Sequence, residues 1–187
     1  LKAEHGRLDA LWCIASVAGG DVKTVSDHIL RGVTQLSQSL YGFYGFVSPD
    51  ESVLTIHSWS GQAMTDCSMA SKPEQFPVCQ AGVWAEAIRR REPLILNGYS
   101  AAREGKRGLP DGHVLLTNLL VVPFLSNRRV TAVAAVANRA RDYGQEDVTQ
   151  ITTFLASAQE LVDRRRGEAS LRLAQRVAQV GSWRWDI

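Results

Sequence analysis

Cys67, Cys79, His57 and His113 are the side chains of this sequence most able to do chemistry. The two cysteines lie twelve residues apart in DCSMASKPEQFPVCQ, with Pro73 and Pro77 flanking Phe76 between them. A redox reading takes one thiolate as nucleophile and the other as resolving thiol. A structural zinc site would need paired ligands at short spacing, and neither Cys-x-x-Cys nor His-x3-His occurs, so no metal is expected. A disulfide framework is a poor fit to three widely spaced cysteines, which suit a reducing cytoplasm. The remaining reading makes the stretch the wall of a pocket. REGKRGLPDGHV, with Arg107 and His113, invites an anion-binding reading, but it runs into Pro110 instead of ending in Gly-Lys-Ser/Thr ahead of a helix. Nucleotide hydrolysis is excluded, and a lid contributing Arg107 and His113 is the alternative to a plain turn.

These residues need elements to position them, and 187 residues suffice for one buried domain with a tail. Hydrophobic residues make up 45% and charged residues 21%, the composition of a chain that folds. Lys and Arg number 21 against 19 Asp and Glu, too even a balance for a nucleic-acid or membrane-surface field. Leu115 to Asn127, the longest uncharged apolar run, is too short to span a bilayer. The first residue is Leu1, and the expectation is a segment cut from a longer cytoplasmic protein.

Leu8, Leu11, Ala15 and Ala18 predict one amphipathic helix, and Val22, Val25, Ile29, Val33, Leu36 and Leu40 a second, capped near Asp21. Tyr41 to Ser60 reads as a hairpin turning at Pro49-Asp50-Glu51. Periodicity vanishes from Gly61 to Val78. A short helix follows, with Val83, Trp84, Ala87 and Ile88 facing inward and three arginines at its end. LILNGY is a strand, a second aperiodic loop follows, and Leu119 to Leu125 and Val130 to Ala137 form another hairpin. Val148, Ile151, Leu155, Ala158 and Val162 repeat at three and four, which suits a helix packing on a partner helix, and the stripe fails at Arg165. The predicted fold is α+β: a central antiparallel sheet, with the N-terminal helix pair and the long C-terminal helix on one face, and long loops plus a short helix on the other.

From Asn118 to Gln159 the sequence resembles the C-terminal half of a GAF domain, a small-molecule sensing module of bacterial signalling proteins. Val122, Pro123, Phe124, Asn138, Tyr143 and Asp147 occupy the family's motif positions. Arg139, Tyr143 and Val148 depart from the signature of cyclic-nucleotide-binding members, so that ligand is not implied. Asn138 and Asp147 are expected to tie the hairpin to the last helix. The middle of the chain, through Pro77, Ala81, Gly82, Trp84, Gly108, Leu109, Pro110, Gly112 and His113, resembles a subgroup found in multi-sensor histidine kinases and diguanylate cyclases. LRLAQRVAQVGSWRWDI resembles the opening of a PAS domain.

The resemblance implies a GAF sensory domain over residues 1–163, a helical linker over 164–180 and a truncated PAS start over 181–187. The implied function is non-catalytic: an unidentified small molecule, with no cofactor specified, is bound between sheet and loops, and its binding is relayed to a downstream PAS and output domain in cis. A homodimer through the N- and C-terminal helices is the expected partner arrangement. Pocket candidates are Tyr44, Trp59, Cys67, Phe76, Trp84, Tyr99, Arg107 and His113. Two alternatives stay open: a free-methionine-sulfoxide-reductase-like enzyme using Cys67 and Cys79, and a ligand-free coupling module.

Overall fold

The computed structural model describes residues 2–69, 74–99 and 112–180. Helices α1 (Lys2–Val17) and α2 (Val22–Ser37) precede a hairpin of β1 (Ser39–Val47) and β2 (Val53–Trp59). Then come α3 (Gly61–Asp66), β3 (Gln75–Pro77), a 3-10 turn (Val83–Ala85) running into α4 (Glu86–Arg90), and β4 (Leu94–Asn97). A second hairpin, β5 (Asn118–Ser126) and β6 (Arg129–Arg139), leads to α5 (Gln145–Val180). The strands form one six-stranded sheet in the order β3-β2-β1-β6-β5-β4, with antiparallel pairing throughout. This is the α+β architecture expected from the sequence, helices on one face and loops with the short helix on the other.

Asp21 caps α2, its carboxylate accepting from Thr24 N at 2.9 Å and from the Thr24 hydroxyl at 2.8 Å. Val25, Ile29 and Val33 are buried between α2 and the sheet. The helical face of the core also takes Ile14 and Ala18 from α1, and Ile151, Phe154, Leu155, Ala158 and Val162 from α5. Gly32 on α2 makes this packing possible: a Cβ there would stand 2.3 Å from the Phe154 ring. On the opposite face Leu54, Ile56, Leu119, Val121, Val133 and Ala135 meet Val83, Ala85, Ala87 and Ile88.

Several expectations are corrected here. The three-four stripe of α5 does not await a partner helix: Val148, Ile151, Leu155, Ala158 and Val162 are at most 5% exposed, spent within the chain's own core. On α1 it is Ile14 that is fully buried, whereas Leu8 is 60% exposed. The apolar stripe fails at Arg165, and α5 continues to Val180 through residues 164–180, the helical linker expected from the sequence. The aperiodic stretch after β2 holds two elements too short to show a period. One is α3, whose first turn is capped by Ser60, and the other is β3, whose Pro77 is tolerated on an edge strand. Pro123 lies inside β5, but the β4 register starts at the Leu94–Val121 pair, so no strand flanks Pro123 on that side.

Three polar devices lock the frame. Arg139 at the end of β6 and Asp147 at the start of α5 form an ion pair with both side chains 4% exposed. Asp147 also accepts from Gly144 N at 2.9 Å. Asn138, expected to join the hairpin to α5, holds the incoming loop instead. Its Oδ1 accepts from Thr117 N at 3.0 Å, and its Nδ2 donates to Leu115 O at 2.7 Å. Tyr143 donates or accepts at the Ser39 hydroxyl, 2.6 Å away, and burial pushes its phenol up to about 12.

Candidate functional site

The loop-side face of the sheet does not close completely, and a cavity of about 360 Å³ lies between it and the segments that cover it. Its floor is built from alternate residues of four strands: Tyr41 and Phe43 of β1, Ile56 and Trp59 of β2, Leu119 of β5, and Ala135 and Ala137 of β6. Strand alternation alone would put Ile56 and Trp59 on opposite faces. The pairing slips between Tyr44–Ser58 and Gly45–Ile56, leaving His57 as an extra residue. That bulge returns Trp59 to the cavity side, where its ring lies 5.5 Å from Phe43. It also requires Gly45, because a Cβ there would stand 2.4 Å from Thr55 O.

The small side chains of β6 make the room. Ala135 and Ala137 sit under the cavity, paired with Phe43 and Tyr41 across the β1–β6 ladder. Phe76 of the edge strand β3 and Trp84 of the 3-10 turn complete the aromatic wall. Trp84 meets Phe43 at 6.0 Å and 80°, and Phe76 at 5.9 Å and 89°.

Two cover segments flank the mouth. The first, α3 and the residues after it, brings Ala63, Met64, Cys67 and Met69, and the second brings His113, Val114 and Leu116. They are bonded to each other: Ser68 N donates to Gly112 O at 2.9 Å, and the Ser68 hydroxyl donates to the same oxygen at 3.3 Å. Gly112 has φ +79° and a neighbouring Ser68 backbone carbon 3.0 Å from where a Cβ would sit, so this crossing depends on glycine.

Polar groups around the cavity are few. His113 Nδ1 is 2.7 Å from Val114 O, so in the neutral ring Nδ1–H donates and Nε2 keeps its lone pair. The Tyr41 hydroxyl donates to Asp66 Oδ2 at 2.9 Å, and Gln62 donates to both oxygens of that carboxylate. These bonds, the Gln62 amide first, hold Asp66 below the usual carboxylate range, and the Asp66 bond raises the Tyr41 phenol. Burial raises the Tyr99 phenol.

Of the residues singled out from the sequence, Trp59, Cys67, Phe76, Trp84, Tyr99 and His113 line this one cavity. Tyr44 does not. It is 2% exposed on the helical face, its ring 5.5 Å from Phe46, because it follows Phe43 by one residue and so points the other way. Arg107 lies outside the described residues. The sequence reading missed Tyr41, Phe43, Met64 and Met69. The i, i+2 spacing of Tyr41 and Phe43 was the available signal for the first two.

The chemistry-bearing quartet is dispersed. Cys67 is half-buried at the cavity, Cys79 is exposed and outside its lining, and His57 packs its ring 5.3 Å from Phe46. Both Cys67 and Cys79 are free thiols. Among the described residues no three His, Cys, Asp or Glu side chains converge as metal ligands.

The family model of the GAF domain matches residues 20–163. The chain belongs to the GAF domain family. This GAF domain is 37% identical over 171 residues to the methyl sulfide methyltransferase-associated sensor of Methanosarcina acetivorans, a match covering 91% of the chain and 17% of that much longer protein. Its fold is similar to that of the GAF domain of an Acinetobacter phosphoenolpyruvate-protein phosphotransferase, with a TM-score of 0.62 at 17% identity, covering 86% of this chain and 94% of that one. It is also similar to free methionine-R-sulfoxide reductase from Neisseria meningitidis, solved with its substrate, with a TM-score of 0.64 at 15% identity, covering 90% and 94%. At these identities the two structures speak to the fold alone. No helix among the described residues is long and apolar enough to cross a membrane.

Proposed function

We propose that this GAF domain is a non-catalytic sensory module that binds a small molecule between its sheet and its two cover segments. The observation that carries the reading is the cavity: about 360 Å³, walled by aromatic rings, with a few polar groups at a mouth crossed by the Ser68–Gly112 bonds. The 37% identity to a protein named as a sensor supports a regulatory role.

The relay runs through the sheet. Ala135 and Ala137 under the cavity belong to the same strand as Arg139, which is ion-paired to the first turn of α5. A ligand that binds one packing of β6 and α5 more tightly than another shifts the balance between them by its differential affinity. The output is a PAS and effector domain in cis beyond α5, as in multi-sensor histidine kinases and diguanylate cyclases, with the whole in the cytoplasm. The residues read as the PAS start, 181–187, lie outside the described residues.

The homodimer is assigned to the N- and C-terminal helices. With the α5 stripe buried, the exposed apolar side chains on these two helices include Leu8 and Trp12 of α1, 60% and 76% exposed, and Leu171 and Leu173 of distal α5. A second copy of the chain is the partner proposed for them. A reductase would need a second thiol near Cys67, and the exposure of Cys79 outside the cavity lining favours the sensory reading.

The test is a thermal-shift screen of the purified chain against a library of small metabolites. A compound that raises the melting point saturably supports the sensor. If none does, the domain is a ligand-free coupler.

A further inference from the structure

The cavity's walls specify the charge of what fills them. Trp84 has two neighbours turned nearly at right angles to it, Phe43 at 80° and Phe76 at 89°, with centroids 6.0 and 5.9 Å away. Trp59 adds a further ring beside Phe43, tilted by 57°. Adjacent rings at right angles around an open space form the corner of a box, and the negative faces of aromatic rings attract a cation held within it.

The charges nearby agree. Among the described residues the lining contains neither lysine nor arginine. The carboxylate next to the lining is Asp66, bonded to the Tyr41 hydroxyl and ionised at neutral pH.

The geometry points to a small methylated onium cation, a quaternary ammonium or tertiary sulfonium, bound among Phe43, Trp59, Phe76 and Trp84. This inference rests on the sensory reading and names its ligand class. Methyl groups spread the positive charge and shed water easily, so such a cation loses little on leaving solvent and gains contact with the aromatic wall. A compact ammonium would lose more of its hydration, with few acceptors in the lining to replace it.

The experiment is calorimetric titration of the purified chain with choline, tetramethylammonium and trimethylsulfonium, each beside a neutral carbon isostere where one dissolves. For choline that isostere is 3,3-dimethylbutan-1-ol. The expected result is saturable binding of at least one onium, roughly tenfold or more tighter than its isostere, the difference expected of partly desolvated cation–π contacts. Trp84→Leu should lose that preference roughly tenfold while Trp84→Phe keeps most of it. Trp59→Leu gives a second reading if Trp84→Leu does not fold.

Equal affinity for onium and isostere would overturn the cation assignment and leave the small-molecule site standing. So would three silent onium ions alongside a neutral or anionic hit in the metabolite screen. Silence in both experiments would remove the sensory reading as well.

Discussion

Substituting Asp147 tests how firmly β6 is tied to α5. Asp147 and Arg139 are both 4% exposed, and Asp147 additionally accepts from Gly144 N at 2.9 Å. In Asp147→Ala the guanidinium stays buried without its carboxylate, and its Nε already has no hydrogen-bond partner. The Tyr143 ring, 5.9 Å from the guanidinium carbon, offers only partial compensation. Removing one member of a buried pair costs about 3–5 kcal/mol. At roughly 2–4 °C per kcal/mol for a domain of this size, the melting point should fall by about 6–20 °C.

Replacing both members, Arg139→Met with Asp147→Leu, removes charge together with its desolvation cost, and should stand within about 1–2 kcal/mol of the wild type. Urea denaturation of the wild type, Arg139→Met, Asp147→Leu and the double substitution, read as midpoint and slope, closes the cycle. A large coupling energy is expected. If Asp147→Ala costs less than about 1 kcal/mol, or the double substitution costs the sum of the singles, the pair is not a buried tether and the relay loses its link.

Gly32→Ala should destabilise by about 1–3 kcal/mol in urea denaturation, because its Cβ would displace the Phe154 ring, and pairing it with Phe154→Leu should recover part of the loss. Under a thiol reagent Cys79 should react faster than Cys67, and only the Cys67 rate should fall when a cavity ligand is added; equal protection of both would place the ligand elsewhere. At the β1–β2 turn Asp50 is lowered to about 2, first by the Ser48 hydroxyl, and Glu51 is lowered by its bond to Arg91 and then by Val130 N–H. Folded values below the unfolded ones give stability that is present above the unfolded pKa of about 4 and lost as pH falls toward 2. Thermal melts across that window should therefore show a shallower acid loss in Asp50→Asn with Glu51→Gln than in the wild type.

The sequence made the fold legible wherever a period ran long enough. Val25, Ile29 and Val33 declare α2, and Asp21 declares its start. The branched residues of β5 and β6 declare strands buried on both faces. It could not show which neighbours would use a face. The stripe of α5 reads equally well as a dimer seam or as a core, and only the arrival of Ile14, Ile29 and Phe154 at one place decides for the core.

The site was legible in its residue types and blurred in their direction. YGFYGF places aromatics at odd and even positions, so both Phe43 and Tyr44 looked eligible, and the strand's pairing sends them to opposite faces. Trp59 reaches the cavity only because of the bulge at His57, which depends on a pairing slip with β1 and leaves no period of its own. Arg139, a departure from a familiar signature in sequence, turns out to be the buried partner of Asp147.

The claim that matters most is that the space over Ala135 is a binding site. Ala135 lies on β6 opposite Phe43, 1% exposed and lining the cavity, so Ala135→Leu would fill the floor with a larger apolar side chain. Calorimetric titration of wild type and Ala135→Leu, each checked for a cooperative melt, should be run with the compound that most raises the wild-type melting point. One ligand per chain should bind the wild type, with affinity falling at least about tenfold in Ala135→Leu. Equal affinity in both chains, or no saturable heat in the wild type, would contradict the account.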